Sequence, residues 1–151
     1  MKKLLSLSIA LMVLVCVSEV NAQEYRSALG VRLSSNPAVV NNSVSFKYLT
    51  SETLALEGLL SFSDPVAIGL LFEKHHPFSA QGLQWFYGAG GYVGFGSNTN
   101  VGGMGIIGLD YKFTNAPLNL SLDWKPELNI ISDINFEPAA IGFSARFTFG
   151  R

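Results

Sequence analysis

The chain has 151 residues, with ten Lys and Arg against eleven Asp and Glu and a formal net charge of −1. Only 14% of its residues are charged, against ~25% in soluble domains, while 48% are hydrophobic. The length fits one domain, the near-balanced charge without a basic cluster argues against nucleic-acid binding, and a single cysteine rules out an intrachain disulfide framework.

The N-terminus opens with Lys2 and Lys3. An apolar run over 4–17 follows, broken only by Ser6 and Ser8, and then the triplet Val20-Asn21-Ala22. A basic start, a short apolar segment and a small residue at the cut are the parts of a secretory signal peptide. The run is shorter than the ~20 residues a membrane-spanning helix needs. Cleavage is expected after Ala22, giving a signal peptide over 1–22 and a mature domain over 23–151. An uncleaved anchor and a lipoprotein signal ending at Cys16 are the alternatives. Against the second, Val15 stands where such signals carry a small residue. Cleavage at Ala22 leaves a mature chain with no cysteine.

From there on the pattern is period two. Eight runs stand out, over 25–33, 44–49, 54–62, 66–75, 83–95, 104–113, 118–130 and 140–149. Turn signals separate them, among them Ser34-Ser35-Asn36-Pro37, Ser63-Asp64-Pro65, His76-Pro77, Ser97-Asn98 and Asn115-Ala116-Pro117. No stretch of the mature chain sustains a helical period. The predicted fold is all-β, an eight-stranded antiparallel up-and-down transmembrane β-barrel. An even strand number brings both termini to one end, which is the periplasmic end of an outer-membrane barrel.

Alternation by itself does not say which face points inward, and a soluble lipocalin-like barrel with an apolar ligand cavity shares it. The chemistry of the two faces separates the cases. In the seventh run Leu118, Leu120, Leu122 and Trp124 oppose Asn119, Ser121, Asp123, Lys125 and Glu127. In the eighth, Ile141, Phe143, Phe147 and Phe149 oppose Gly142, Ser144, Arg146 and Thr148. One face is bulky and apolar, and the other mixes charges with Gly, Ala and Ser. Small residues among charges suit the narrow lumen of an eight-stranded barrel, which side chains can fill. The inward charges are Arg26, Arg32, Lys47, Lys112, Lys125 and Arg146 against Glu57, Glu73, Asp110, Asp123 and Glu127. Such a near-balanced set can pair internally, as buried charges must. Aromatics gather toward the ends of the runs. Tyr25, Tyr48, Trp85, Tyr87, Tyr111, Phe147 and Phe149 fall at the end holding the termini, and Phe62, Phe95 and Trp124 at the other. That is the distribution of an interfacial girdle. The glycine-dense stretch from Tyr87 to Gly96 lacks the helix and the Lys-Ser/Thr pair of a phosphate loop, and reads as barrel curvature.

Several segments carry a family resemblance. Gly105-Ile106-Ile107-Gly108-Leu109-Asp110-Tyr111-Lys112-Phe113 and Pro117-Leu118-Asn119-Leu120-Ser121-Leu122-Asp123-Trp124-Lys125-Pro126 resemble the short outer-membrane β-barrel proteins of Gram-negative bacteria. Trp85-Phe86-Tyr87-Gly88-Ala89-Gly90 and Ser144-Ala145-Arg146-Phe147-Thr148-Phe149 do too. The resemblance covers nearly the whole mature chain. It implies an outer-membrane location, lipid as the surrounding partner, and handling by the barrel insertion machinery during biogenesis. Many such barrels end on an aromatic residue, whereas this chain runs two residues past Phe149.

Chemistry is sparse. His75 and His76 are the only histidines. Adjacent strand residues point to opposite faces, so the two are poorly placed to share a metal. A lipase-like set would need one of them to meet a serine such as Ser79. Asp123 and Glu127 flank Lys125 on the inward face, which reads as a salt-bridge ladder ahead of an acid–base pair. The proposed outer loops are short, the longest running from Ser34 to Asn42. The expected function is therefore a non-enzymatic barrel, structural or small-ligand-binding, with no cofactor and no metal. A narrow pore or hydrophobic-compound channel is the alternative, and the sequence names no ligand.

Overall fold

The computed structural model describes residues 25–35 and 38–150. The expected signal peptide over 1–22 lies outside the described residues. The rest is all-β and antiparallel. Ten strand segments run in chain order as β1 Ser27–Ser34, β2 Ser43–Leu49, β3 Leu54–Ser61, β4 Val66–Pro77, β5 Leu83–Phe95, β6 Thr99–Lys112, β7 Leu118–Trp124, β8 Glu127–Ile131, β9 Asn135–Glu137 and β10 Ile141–Phe149. Neighbours in sequence pair from β1 through β7, and β7 pairs with β10. The ladder from Ser27↔Phe149 to Ser34↔Gly142 joins β1 to β10 and closes the barrel.

The ten segments make eight staves. β7 and β8 form one stave, both against β6. β9 and β10 form another, with β9 against β8. Both staves break at proline, which has no N–H to give the ladder. Pro126 separates β7 from β8, and Pro138 separates β9 from β10. The break is bridged locally. Lys125 N–H donates to Ala140 O at 2.8 Å, Gly105 N–H donates to Pro126 O at 3.1 Å, and Trp124 Nε1 donates to Pro138 O.

The eight expected runs coincide with these staves to within two residues at most ends, although His76-Pro77, expected as a turn, continues β4, and two larger differences stand out. β6 begins at Thr99 where the sequence reading starts at Met104, because Phe95 pairs directly with Thr99 in a tight hairpin. Asn135–Glu137 joins the last stave, although the polar turn residues before it read as loop. The wall is tallest at β4, β5 and β6, of 12, 13 and 14 residues, and lowest at β1 to β3, of 8, 7 and 8.

The two faces are chemically opposite, with the polar one inside. Arg32, Lys47, Lys125 and Arg146 are at most 2% exposed, whereas Leu33, Ile68, Phe72 and Phe143 are between 46% and 62% exposed. The lumen also has an apolar wall that the sequence reading did not anticipate. Leu59, Leu71, Phe86, Tyr92, Met104 and Ile106 from β3 to β6 form a buried cluster. Gly69 makes room for it, since a Cβ there would lie 2.8 Å from Met104 Cε.

Between β1 and β2, where a surface loop is expected, residues 38–40 instead turn inward. Ala38 is 7% exposed and Val40 is fully buried against the same cluster. Removing these apolar side chains from water favours the inward turn, and the lumen beneath offers partners for the backbone.

Candidate functional site

The lumen carries three groups of paired charges. The first lies toward the end holding the termini. Arg146 of β10 crosses the barrel to pair with Glu57 of β3. Its Nε donates to Ser45 Oγ at 2.6 Å, and its Nη1 donates to Ser121 Oγ at 2.7 Å and Asn119 Oδ1 at 3.2 Å. Beside it, Lys47 Nζ lies 2.8 Å from Glu73 Oε2, 3.6 Å from Asp110 Oδ1 and 3.7 Å from Glu57 Oε2. The same ammonium sits 4.6 Å from the centroid of the Phe86 ring. Asn119 Nδ2 donates to Asp110 Oδ2 at 2.6 Å, and His75 Nε2 lies 3.0 Å from Glu73 Oε2. Three carboxylates thus face two fixed cations and an imidazole.

The second group is the pair of Arg32 and Asp123, at 3.2 Å from Nε to Oδ2 and 2.5 Å from Nη2 to Oδ1. The fork-on-carboxylate geometry gives two parallel charge-assisted bonds. The third group holds the inward-turned segment. Lys125 pairs with Glu127 and donates to Val40 O at 3.2 Å. The Glu127 carboxylate in turn accepts from Val39 N–H at 2.9 Å and Val40 N–H at 3.3 Å. A buried ion pair persists where further hydrogen bonds satisfy its remaining valences, and the Val39 and Val40 peptides supply them here.

Of the eleven inward charges expected from sequence, the structure brings nine together in these groups. The other two, Arg26 and Lys112, sit at the rim. The β1 ladder begins only at Ser27, so the alternation that points side chains inward does not govern Arg26, which is exposed. Lys112 is the last residue of β6, with Nζ 5.1 Å from the centroid of the Tyr25 ring. Both line a cavity of about 360 Å³ at the terminal end, floored by Asp110. Sequence reasoning did not single out Ser45, Asn119, Ser121 or Val40 as partners of the charges. The first three share the inward parity of the charges and were findable on that ground.

The aromatic residues divide. Tyr48, Tyr87, Tyr111, Trp124 and Phe149 are exposed on the outer face. Trp85 and Phe147 are half-buried there. Tyr25 is a correction, because it lines the terminal-end cavity and does not stand on the outer wall. Burial first, and the nearby Asp110 carboxylate second, push its phenol above the ordinary range and keep it a hydrogen-bond donor. His75 and His76 do point to opposite faces. His75 stacks on Phe86 in the lumen at 5.0 Å, and His76 stacks on Trp85 outside at 4.6 Å. No hydrogen bond joins Ser79 to either histidine among the described residues.

No known protein-family model matches the chain, and a comparison with curated proteins finds no match.

Proposed function

We propose that this chain is an exported integral membrane barrel of the outer membrane. Its lumen is closed by paired charged side chains, and its role is structural or small-ligand-binding without catalysis. The observation that carries this reading is the reversed polarity of the wall. Among the described residues, 28 large apolar side chains are more than a third exposed, and they ring the barrel on every stave. A soluble monomer rarely exposes a contiguous apolar patch of more than a few hundred Å². A lipocalin-like barrel needs the opposite arrangement, with apolar side chains lining the cavity and polar ones outside. Hydrocarbon is the solvent that suits this wall, and closure of the ladder pairs backbone groups that hydrocarbon cannot satisfy.

The terminal-end cavity supports the small-ligand part of the proposal. Its volume lies within the usual range for ligand sites, and its polar lining of Tyr25, Arg26, Glu52, Gln84 and Asp110 fits a small polar molecule. The test is refolding of the mature chain into phospholipid vesicles. Co-flotation with the vesicles and resistance of the strands to protease support the proposal. A monodisperse monomer in detergent-free buffer refutes it.

A further inference from the structure

Outward strand positions among the described residues carry a single formal charge, Lys74 of β4. Its side chain is exposed and has no ion-pair or hydrogen-bond partner among the described residues. An unpaired cation beside an otherwise apolar wall is placed to take a counter-charge from outside the barrel.

Its surroundings have the shape of an amphiphile. Lys74 stands in register with Leu54 of β3 and Tyr87 of β5. From there an outer groove of about 530 Å³ runs toward the middle of the wall, along Leu56, Phe72 and Ala89. The small side chain of Ala89, in register with Phe72, keeps the groove open. On the terminal side of Lys74, His76 stacks on Trp85 at 4.6 Å and on Tyr87 at 5.7 Å. The result is a flat aromatic shelf, then a cation, then an apolar channel, in that order from the terminal end inward.

We propose that this groove is a specific site for one anionic phospholipid. The lipid phosphate sits on Lys74 Nζ, and one acyl chain lies along Leu54, Leu56, Phe72 and Ala89. Charge complementarity selects the headgroup, because a zwitterionic lipid offers Lys74 a phosphate already neutralised by its own ammonium. The groove selects a lipid over a free anion, which would leave the apolar channel empty. The site rests on the membrane reading above.

The test uses tryptophan quenching. The chain has two tryptophans, Trp85 and Trp124. A Trp124→Phe variant, refolded into phosphatidylcholine vesicles, leaves Trp85 beside the site as the only indole. Brominated phosphatidylglycerol is expected to quench Trp85 with about five-fold higher relative affinity than brominated phosphatidylcholine. Lys74→Gln should bring that ratio close to one, and Lys74→Arg should keep it. The converse Trp85→Phe variant, which reports from Trp124, should show no preference. Equal quenching of Trp85 by the two lipids, or a preference that survives Lys74→Gln, overturns the site and leaves the membrane reading standing. A chain that does not insert into vesicles overturns both.

Discussion

Arg32 reaches Asp123 across the strand that separates them. The pair lies on β1 and β7, and β10 runs between. The guanidinium passes directly over Gly142, which is in register with Asp123 on one side and Ser34 on the other. A Cβ at Gly142 would sit 2.1 Å from Arg32 Nη2. This glycine therefore serves the ion pair, and no turn requires it. Gly142→Val should displace the guanidinium and strand the Asp123 carboxylate. A loss of about 3–5 kcal/mol is expected, read from the urea unfolding midpoint in vesicles. Arg32→Met with Asp123→Leu, which removes both charges together, should cost much less. Equal losses in the two variants would show that the ion pair is not what Gly142 protects.

Arg146 makes more hydrogen bonds than the other cations of the lumen, with Glu57, Ser45, Asn119 and Ser121 all on its guanidinium. Arg146→Leu leaves Glu57 with Lys47 as its remaining cation, 3.7 Å away. The barrel should lose about 3–5 kcal/mol. Adding Glu57→Gln to the same chain should restore a good part of that loss, because the stranded charge is then gone. Unchanged unfolding of Arg146→Leu contradicts the network.

The Glu127 carboxylate holds Val39 and Val40 inside the far mouth of the barrel. The mature chain expected from the sequence has no cysteine, so Val40→Cys gives it a unique thiol. Buried as Val40 is, that thiol should react slowly with a membrane-impermeant maleimide. Adding Glu127→Ala frees the segment and should raise the labelling rate by at least about ten-fold, the factor that 1.4 kcal/mol of lost anchoring represents. Fast labelling in the Val40→Cys parent would show that the segment already lies outside.

A lumen packed with Arg32, Lys47, Lys125 and Arg146, each at most 2% exposed, leaves little room for an ion file. In a planar bilayer the wild-type chain should be electrically silent. Discrete conductance steps would favour the narrow-pore alternative.

Much of this was legible in the sequence for a simple physical reason. Strand parity is rigid, so Asn119, Ser121, Asp123, Lys125 and Glu127 had to share one face whatever the tertiary fold. Nine of eleven inward charges followed from that parity. Which charge meets which did not, because Arg146 and Glu57 are 89 residues apart and only barrel closure brings them together. Three features escaped for local reasons. Leu59 shares the parity of Glu57 and Leu71 that of Glu73, and Phe86 stands in register with the inward His75, but a polar lumen read from the last two runs hid the apolar wall of β3 to β6. Parity ends where the ladder ends, so it misdirected Tyr25 and Arg26 at the rim. It is also silent in loops, so the inward turn of Val40 left only the apolar Ala38-Val39-Val40 as a trace.

The most direct test of the central claim is fractionation of cells making the chain, followed by gel migration of boiled and unboiled samples. An outer-membrane band whose mobility shifts on boiling is the expected result, since a closed barrel in detergent stays folded until heated. A soluble periplasmic band with no shift would contradict it, because an apolar wall of this extent has no place in water.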